Sequence, residues 1–359
     1  LYRAKRALII GDPKQLTHVT SLRDSTEERL AQTCGLSERE REQFSYKRRS
    51  LFEIAHSRKE AIWLTQHFRC HPEIITFSNR EFYGSRLKIM SKSETILPGH
   101  AVKWINVHGK FERGPGGRSA INLPEAEMVV NVLADVIDEA NTKQQSISAG
   151  IVTPFRAQAE LIQDIIVKRG VEPPKDLIVA TAHKFQGDER DIIIFSPTIG
   201  TNTPKYLLDF VESNANLINV AITRARKLLI VVGDLDTCFL KASGVLKSLA
   251  KYIAELDSVF QSPIEHKLYV ALLRRGIPVK TGVEVGGYRL DLAIIINDLK
   301  LGVECDGAPF HRDVRKDAIR DRHLKEAGWE ILRFTGKEIQ NNIETVSYTH
   351  LTLPTTERV

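Results

Sequence analysis

Residues 149–169 have the sequence AGIVTPFRAQAELIQDIIVKR, an apolar run of strand length joined directly to a helix-length stretch. In the second part, apolar residues recur every three or four positions, which is the periodicity of an amphipathic helix. A strand that leads straight into a helix is the repeating unit of a parallel sheet. This segment therefore predicts an α/β fold in which helices cover both faces of the sheet.

The same alternation extends over the first 245 residues. Residues 123–140 form a second clear helical stretch, and residues 24–50, which are crowded with Glu and Arg, predict a solvated helical excursion. The remaining strand-sized runs lie at residues 7–10, 61–64, 102–107, 177–180, 191–196 and 227–232.

A different pattern follows residue 256. Ser262 and Pro263 have the residue types of a helix cap and a first helical position, and they predict a helix that runs to residue 275. The segments after it predict three strands, a charged helix and a last strand, at residues 279–285, 288–296, 300–304, 313–327 and 330–334. An αβββαβ unit of this length can form its own domain.

These patterns divide the chain into five parts. We expect residues 1–57 to end one α/β domain, residues 58–247 to form a second, residues 248–261 to be a linker, and residues 262–346 to form the αβββαβ domain. Residues 347–359 join no pattern, and we expect a non-native or disordered tail.

The composition excludes several classes of protein. With 359 residues, 42% hydrophobic and 27% charged, the chain is neither a disulfide-stapled peptide nor a disordered or collagenous protein. No apolar run is long enough to span a membrane, and the net charge of +6 favours polyanionic partners. The four cysteines form no CxxC pair, so we expect a cytoplasmic protein. Because the chain opens at Leu1, inside an apparent strand, we also expect an incomplete N-terminus.

Four polar segments lie at the ends of predicted strands: GDPKQL at 11–16, QHFRCHP at 66–72, FQGDERD at 185–191 and NVAITRAR at 219–226. Loops at the carboxyl ends of parallel strands meet at the ligand crevice of an open α/β sheet. Arginines placed there would neutralise charge that develops on a transferred γ-phosphoryl group. The segments therefore predict a nucleotide site.

Together with TPFRAQ at 153–158, these segments resemble motifs III to VI of superfamily 1 helicases, specifically the Upf1-like group. The resemblance implies a RecA-like, P-loop-NTPase-type sheet domain that uses ATP and Mg²⁺ to act on nucleic acid.

Residue by residue, the resemblance implies that Gln15 senses the γ-phosphate and that Arg69 and Arg224 contact it from the second RecA-like domain. It implies that Glu189 accepts a hydrogen bond from the ribose, with Gly187 in the same cofactor-binding segment. It also implies a single-strand channel lined by Phe68, where the family usually has Tyr, and by Thr153, Phe155, Gln158, Thr181 and His183. For Arg190 and Arg226 we expect surface ion pairs, and for Asp12 and Asp234 turn caps.

The sequence contains no Gly-x-x-x-x-Gly-Lys-[Ser/Thr] segment and no Asp-Glu pair ahead of residue 11. These motifs supply the lysine that holds the phosphates and the carboxylate that holds Mg²⁺. We therefore expect this chain to bind ATP poorly, to lack ATPase activity alone, and to need a missing N-terminal RecA-like domain of the same protein.

Carboxylates interrupt the apolar strands of the C-terminal unit. Residues two apart on a strand share a face, so Glu304 and Asp306 point the same way, and Asp291 faces them from the neighbouring strand. Acidic side chains in such strands are costly unless they are paired or bind a metal. Oxygen ligands of this kind suit Mg²⁺.

This unit resembles the DUF559 or very-short-patch-repair-like branch of the restriction-endonuclease-like nucleases, the PD-(D/E)xK group. The matching segments are SPIE at 262–265, GGYRLD at 286–291, VECDG at 303–307, FH at 310–311, DR at 321–322, GW at 328–329 and RF at 333–334.

The nuclease resemblance implies Asp291 and Glu304 as metal ligands, the Cys305 carbonyl as a third, Glu265 as a carboxylate near the site and His311 as an acid or base. Glu265 alternatively stabilises its helix as a first-turn carboxylate, and His311 alternatively is a turn residue.

Asp306 stands where the general pattern has Lys, and the sequence leaves the substitute cation open among Lys267, Arg289 and Arg320. On the charged helix, Asp317, Arg320, Asp321 and Arg322 predict a solvated face, with contact to DNA phosphates as the alternative.

The resemblances together imply the C-terminal portion of an ATP-dependent DNA helicase or translocase with a fused, Mg²⁺-dependent endonuclease that acts on single-stranded or forked DNA. One alternative is a non-catalytic DNA-binding module on a translocase. Another is an RNA helicase of the Upf1-like group.

Overall fold

The computed structural model describes residues 6–16, 22–46, 48–57, 60–92, 94, 96–97, 99–117, 119–185, 187–259, 263–275, 277–296, 299–306, 314–339 and 341. The chain divides into two compact units, residues 1–65 and residues 66–359. Within the described ranges, no helix is both long and apolar enough to cross a membrane.

The regular secondary structure described in the first unit is helical. Its helices are α1 (Asp24–Thr33), α2 (Glu38–Phe44) and α3 (Leu51–His56), so the predicted excursion at residues 24–50 is confirmed as helical. Ser37 and Ser50 each begin a helix with a capping box, in which the serine and the glutamate three residues later bond to each other's backbone.

The predicted strand at residues 7–10 is wrong. These residues form no strand, and the side chains of Leu8 and Ile10 are exposed. A strand needs a neighbouring strand to satisfy its backbone groups, and the described part of this unit contains none.

The second unit contains all the strands that the structure describes. In chain order they are β1 (Gln66–His67), β2 (Lys88–Ile89), β3 (Val102–Asn106), β4 (Glu112–Arg113), β5 (Ala120–Ile121), β6 (Ala149–Thr153), β7 (Ile178–Thr181), β8 (Arg190–Phe195), β9 (Ala225–Gly233), β10 (Val279–Val285), β11 (Tyr288–Ile296), β12 (Leu299–Asp306) and β13 (Glu330–Thr335). The predicted strand at residues 61–64 is therefore wrong, because only Gln66 and His67 pair, with Lys88 and Ile89.

The helices of this unit are α4 (Pro72–Tyr83), α5 (Leu123–Thr142), α6 (Arg156–Arg169), α7 (Lys205–Ser213), α8 (Ala215–Thr223), α9 (Leu235–Leu240), α10 (Gly244–Val259), α11 (Pro263–Arg274) and α12 (Val314–Glu326). Short 3₁₀ turns lie at Pro115–Gly117 and Ala182–Phe185.

The main sheet has the strand order β3-β9-β8-β6-β7, and every neighbouring pair is parallel. One core contains alternate strand residues such as Ile192 and Ile194 together with residues of α5 and α6. The residues between them, such as Ile193, are equally buried and point to the opposite face, where α8 packs on β8 and β9. The prediction of a parallel α/β sheet covered on both faces is confirmed.

The C-terminal domain has the strand order β10-β11-β12-β13, in which only the β12–β13 pair is parallel. Its core contains Leu290 and Ala293 of β11, Leu324 of α12, and Trp329. The predicted αβββαβ order is confirmed, and the bounds predicted for β10 and β11 agree with the structure residue by residue.

The predicted linker at residues 248–261 is wrong over most of its length, because α10 extends to Val259. Leu246, Leu249 and Ile253 of this helix are fully buried at the three- and four-residue spacing of a packed helix face.

Gly150 lies where β6 approaches its neighbours closely. A Cβ atom at this position would lie 2.6 Å from Cε1 of Phe185 and 2.8 Å from Cδ1 of Ile193. We expect Gly150→Ala to lower the free energy of unfolding by about 1–3 kcal/mol through overpacking, as measured by urea unfolding. In a variant that carries both Gly150→Ala and Phe185→Leu, the smaller side chain at residue 185 should recover part of the lost stability. Strictly additive effects of the two substitutions on the free energy of unfolding would contradict this contact.

Candidate nucleotide and nuclease sites

Three predicted motif segments meet at the amino-terminal edge of the main sheet. The amide of His71 donates a hydrogen bond to the carbonyl of Arg226 at 2.7 Å, and the amide of Arg190 donates one to the carbonyl of Arg224 at 2.9 Å. The segments that contain residues 185–191 and 219–226 run into the beginnings of β8 and β9. The predicted convergence is therefore present, but its placement at the strands' carboxyl ends is wrong for these two segments.

The side chains of these segments form an alternating cluster of charges. Nε of Arg69 lies 2.5 Å from Oε2 of Glu189, and Nη1 of Arg226 lies 3.4 Å from Oε1 of the same carboxylate. Arg224 is only 2% exposed, and its Nη1 donates a hydrogen bond to the carbonyl of Asp188 at 3.1 Å. Burial and the charge of Arg69 lower the pKa of Arg224. The structure thus brings together the three residues predicted to contact ATP from this domain.

Two further arginines beside this cluster form ion pairs, as predicted. Nη2 of Arg226 lies 2.7 Å from Oδ1 of Asp191, and Nη1 of Arg190 lies 4.0 Å from Oδ1 of Asp188. Burial alone would raise the pKa of Asp191, but the hydrogen bonds from Arg226 and Ser148 outweigh it and lower the pKa. The predicted ion pairs of Arg190 and Arg226 are confirmed.

An open cleft of about 350 Å³ lies against the cluster. Phe68, whose side chain is 65% exposed, forms part of the wall beside Arg69. The cleft is lined by Phe68, Arg69, Met90, Ser91, Lys92, Glu94, Arg226 and Lys227. Four of these side chains are cationic and one is anionic, so the cleft favours an anionic ligand. Gly187, which is exposed, has a φ of 92° that favours glycine.

Two titratable side chains next to Arg69 carry no charge at neutral pH. Burial and the charge of Arg69 lower the pKa of His67 to about 4, and its Nε2 accepts a hydrogen bond from the amide of Cys70 at 2.9 Å. Burial raises the pKa of the Cys70 thiol to about 12, against the opposing charges of Arg69 and Arg224. These groups therefore hold the arginine loop without adding charge to the cleft.

Five of the six residues predicted to line a nucleic-acid channel, all except Phe68, lie at the opposite, carboxyl-terminal edge of the sheet. Thr153 and Gln158 are fully buried: Thr153 bonds to Thr198 at 3.0 Å, and Nε2 of Gln158 donates to Oγ of Ser196 at 3.2 Å. Phe155 is buried with its ring centre 5.7 Å from that of Phe210. Thr181 is half-buried and His183 is exposed. For all of these residues, and for Phe68, contact with nucleic acid stays a prediction.

A buried carboxylate that the sequence analysis missed lies beneath this edge. Glu125 accepts hydrogen bonds from the hydroxyl of Ser196 at 2.5 Å and from the amide of Thr198 at 2.7 Å. Burial raises the pKa of Glu125 to about 8, and the charge of Asp234 acts in the same direction. The group is therefore largely protonated at neutral pH and belongs to a fixed network at the strand ends.

Gln15 lies in the first unit, where its Nε2 donates a hydrogen bond to Oδ2 of Asp12 at 3.1 Å. Asp12 also accepts from the amide of Lys14 at 2.8 Å, so its predicted role as a turn cap is confirmed. Asp234 caps α9 through the amide of Thr237, as predicted. The role of Gln15 at a γ-phosphate stays a prediction.

In the C-terminal domain, Asp291 and Glu304 lie side by side on β11 and β12. Leu292 pairs with Val303, and Asp291 and Glu304 are the next residues along the two antiparallel strands. Oδ2 of Asp291 accepts a hydrogen bond from the amide of Cys305 at 2.8 Å. Burial raises the pKa of Glu304 to about 7, the charge of Asp291 acts in the same direction, and Arg320 opposes both. The predicted facing of these two carboxylates is confirmed.

The other predicted nuclease residues are placed less completely. Glu265, on α11, is 4% exposed. The charges of Asp291, Glu265 and Glu304 add to burial in raising the pKa of the Cys305 thiol, so all three carboxylates lie near Cys305. Asp306 ends β12 opposite Thr335, and His311 lies outside the described residues.

The predicted solvated face of α12 is wrong at two positions. Nη2 of Arg320 lies 2.5 Å from Oε1 of Glu304. Both Nη atoms of Arg333 bond the carboxylate of Asp321, at 2.5 and 2.6 Å, and these bonds lower the pKa of Asp321. Both side chains therefore point towards the sheet, and Arg322 is exposed as predicted.

Comparison with known proteins identifies both domains. The sequence model of the AAA_12 family, described as an AAA domain, matches residues 47–236, more than half of the 359 residues. The chain belongs to the AAA_12 family. This domain is typical of Upf1-like superfamily 1 helicases, so the first resemblance is confirmed. A second model, REase_MTES_1575, matches residues 264–348 and confirms a restriction-endonuclease-like domain.

Similar proteins are named as helicases. Helicase sen1 of Schizosaccharomyces pombe is 29% identical over 66% of this chain and 13% of its own length. Probable helicase MAGATAMA 3 of Arabidopsis thaliana is 28% identical over 72% of this chain and 30% of its own length. RNA helicase Mov10l1 of Homo sapiens is 29% identical over 65% of this chain and 20% of its own length. The chain thus spans less than a third of the length of each of these relatives.

One similar solved structure is the C-terminal domain of a possible DNA helicase from Lactobacillus plantarum WCFS1. It is 15% identical, covers 51% of this chain and 93% of its own, and has a TM-score of 0.30, too low to add to the assignment.

A buried carboxylate joins the AAA_12 domain to the restriction-endonuclease-like domain. Oε1 of Glu73, on α4, lies 2.8 Å from Nδ1 of His100 and 2.7 Å from Nε2 of His266, and the amide of Ala101 donates to Oε2 at 2.6 Å. Burial alone would raise the pKa of Glu73, but the hydrogen bonds and charges of both histidines outweigh it and lower the pKa to about 2. The hydroxyl of Tyr252 donates to the backbone carbonyl of Glu73 at 2.8 Å.

The sequence analysis missed this junction because its partners are distant along the chain. A carboxylate in the otherwise apolar start of α4, HPEIITF at residues 71–77, is an available signal that Glu73 is paired. No local pattern indicates His100 or His266 as its partners. The ligand-capable atoms of these three residues lie within 4.8 Å of one another, as do those of His108, Asp234 and Asp236. For Glu73, hydrogen bonds already account for the arrangement.

We expect Glu73→Gln to destabilise the protein by roughly 2–4 kcal/mol at pH 7, as measured by urea unfolding of the full chain. Because folding depresses the pKa of Glu73, its contribution is complete above the ordinary pKa of about 4.5 and is lost as pH falls towards about 2. The difference from wild type should therefore shrink as the pH falls from about 4.5 towards 2. Glu81→Gln, an exposed carboxylate on the same helix, is the control; equal stability of both variants would contradict the junction.

Proposed function

We propose that this chain is the C-terminal portion of an ATP-dependent DNA helicase or translocase with a fused, Mg²⁺-dependent endonuclease. The observation that carries the proposal is the convergence of Arg69, Glu189 and Arg224, from three separate motif segments, beside an open cationic cleft. Helicase relatives and the restriction-endonuclease-like domain support the two halves of the proposal.

The arginine cluster supports a role in ATP hydrolysis. Guanidinium groups stabilise the charge that develops on the equatorial oxygens of a transferred γ-phosphoryl group, and they act most strongly when they are held in place beforehand. Arg224 is held by burial and by the carbonyl of Asp188. Arg69 is held by Glu189, whose carboxylate compensates its charge and can accept a hydrogen bond from a ribose hydroxyl.

ATP hydrolysis also needs the phosphate-binding lysine and the Mg²⁺-binding carboxylate that this sequence does not contain. We propose that both come from a further RecA-like domain of the same protein, which also supplies the Mg²⁺ bound with ATP. Gln15 would then sense the γ-phosphate, as the helicase motifs imply.

DNA is the proposed substrate because the restriction-endonuclease-like domain is part of the same chain. The net charge of +6 suits a polyanionic partner of either kind. One relative is named as an RNA helicase, so single-stranded RNA is the comparison substrate in every assay.

We expect residues 1–359 alone to show no ATPase activity and a longer protein with the lysine-bearing domain to show it. In that protein, Arg224→Ala should lower turnover by at least ~10³, because a positioned arginine supplies that much to phosphoryl transfer. A phosphate-release assay with single-stranded DNA measures the effect. Arg169→Ala, an exposed arginine of the same domain that lies outside the motif segments, is the control. DNA-stimulated turnover by residues 1–359 alone would sink the proposal that the motor is incomplete.

The carboxylate cluster fits a magnesium ion. Mg²⁺ binds oxygen ligands through one or two carboxylates and keeps several waters. Asp291, Glu304 and the carbonyl of Cys305 would hold it, and the burial-raised pKa of Glu304 indicates a carboxylate that a cation would stabilise. When bound, Mg²⁺ supplies charge stabilisation at the phosphodiester and an activated water. Glu265 lies close enough to add negative charge, and His311 stays the proposed acid or base.

A non-catalytic DNA-binding module is the second candidate function. The observation that favours it is the absence of the usual lysine, since Asp306 takes its place. Such a module would bind DNA through the same domain without cleaving it.

We expect Asp291→Ala and Glu304→Ala each to abolish Mg²⁺-dependent cleavage while DNA binding is unchanged or stronger, because the lost charges repel phosphate. Plasmid nicking and linear-DNA cleavage in Mg²⁺, Mn²⁺ and EDTA measure this. The full chain is used because His266 bonds Glu73 across the domain junction. Glu284→Ala, an exposed carboxylate on β10, is the control. Equal cleavage in EDTA contradicts the metal site, and wild-type inactivity in every metal favours the binding module.

A further inference from the structure

Arg320 reaches the carboxylates of the nuclease domain from α12. Its Nη2 bonds Oε1 of Glu304 at 2.5 Å and donates to the carbonyl of Arg289 at 2.8 Å. Its Cζ lies 5.9 Å from the centre of the Tyr288 ring, within the range of a cation–π contact. The guanidinium is therefore held from three directions beside a buried carboxylate.

Lys267 and Arg289, the other two candidates for the cation that replaces the usual lysine, lie in different surroundings. Lys267 is exposed on α11 and makes no ion pair within the described ranges. The guanidinium of Arg289 lies over Gly282, with its Nη2 3.2 Å from the place where a Cβ would be. Arg320 contacts a site carboxylate directly, with its Nη2 2.5 Å from Oε1 of Glu304.

The guanidinium of Arg320 also has donors to spare. Among described residues only its Nη2 makes hydrogen bonds, and its Nε is buried without a partner. The side chain keeps 23% of its surface exposed, so Nη1 can donate to the oxygens of a ligand, whereas the buried Nε is out of a ligand's reach. A guanidinium carries five N–H groups in a planar fork that suits the oxygens of a phosphate.

We propose that Arg320 supplies the cation of the nuclease site, binding the scissile phosphate with the donors that Glu304 leaves available. The inference rests on the proposed nuclease function. It places on a helix the positive charge that the general nuclease pattern places on a strand lysine, at the position that Asp306 occupies here.

The chemistry limits what this residue does. Water oxygen forms a new bond to phosphorus, one phosphorus–oxygen ester bond breaks, and a proton of the water passes to the departing alkoxide oxygen through solvent or another group. A guanidinium stays protonated at physiological pH, so Arg320 moves no proton. It stabilises the negative charge that builds on the non-bridging phosphate oxygens.

The test compares the full chain with Arg320→Ala, Arg320→Lys and Arg320→Gln, and it uses Arg322→Ala, an exposed arginine on the same helix, as the matched control. We expect Arg320→Ala to lower the rate of DNA cleavage by about 10²–10³, the usual effect of losing one donor to a developing oxyanion. Added guanidinium chloride at low concentration should restore part of the rate in Arg320→Ala and none in Asp291→Ala. Arg322→Ala should cleave at the wild-type rate.

A second readout separates phosphate binding from a purely structural role. Titration calorimetry with Mn²⁺, without DNA, should give Arg320→Ala an affinity equal to or higher than that of wild type, because a competing cation has been removed. A weakened Mn²⁺ affinity together with full cleavage at high metal would overturn the proposal, since Arg320 would then only position Glu304. Circular dichroism monitors folding, and if Arg320→Ala does not fold, faster cleavage by Arg320→Lys than by Arg320→Gln supports the proposal and equal rates overturn it.

Two failures are distinguishable in this experiment. A wild-type chain that cleaves no DNA in any metal overturns the nuclease function and this inference with it. A wild type and an Arg320→Ala variant that cleave at equal rates overturn the role of Arg320 alone, and a loss seen only in Arg289→Ala transfers that role to Arg289.

Discussion

The cost of removing charge from water organises both domains of the second unit. Glu73, Arg224 and Glu304 are each less than a tenth exposed, and each has a partner brought by a distant part of the chain. An isolated buried charge is strongly destabilising, whereas a partnered one fixes the elements that carry it. The loop of Arg224, the start of α4 and the position of α12 are therefore set as much by these pairs as by apolar packing. The site geometry is a product of the same constraint that holds the domains together.

The two edges of the main sheet, which lie one strand length apart, carry different sets of polar side chains. Charged arginines and carboxylates collect at the amino-terminal edge, where β8 and β9 begin. The carboxyl-terminal edge carries hydrogen-bonded groups such as Thr153 and Gln158, and a protonated Glu125 that feels the charge of Asp234. Fully buried parallel strands connect the two edges.

Periodic segments were predictable from sequence because their pattern is local. The bounds of β10 and β11 agree with the structure to the residue, since each is an apolar run enclosed by turn residues. The run at residues 7–10 has the same composition, but no strand pairs with it in the described part of its unit. Residues 248–259 were mistaken for a linker, although their apolar spacing matches a buried helix face.

Site residues were predictable as far as motif types identify them. Arg69, Glu189 and Arg224 do converge, and Asp291 does face Glu304. Which edge of the sheet they occupy, and which cation accompanies Glu304, depend on strand order and helix placement. No spacing rule encodes these contacts between residues far apart in sequence, so Glu73 with His266, and Arg320 with Glu304, became visible only in the fold.

The junction at Glu73 has a consequence for how such a fusion arises. The carboxylate belongs to one domain and half of its imidazole partners to the other, so neither domain is a free-standing cassette. Transplanting the restriction-endonuclease-like domain to another protein would leave behind a buried anion with one histidine and introduce a histidine with no acid to meet it. Exchange of either domain alone would therefore need a compensating change at Glu73 or His266.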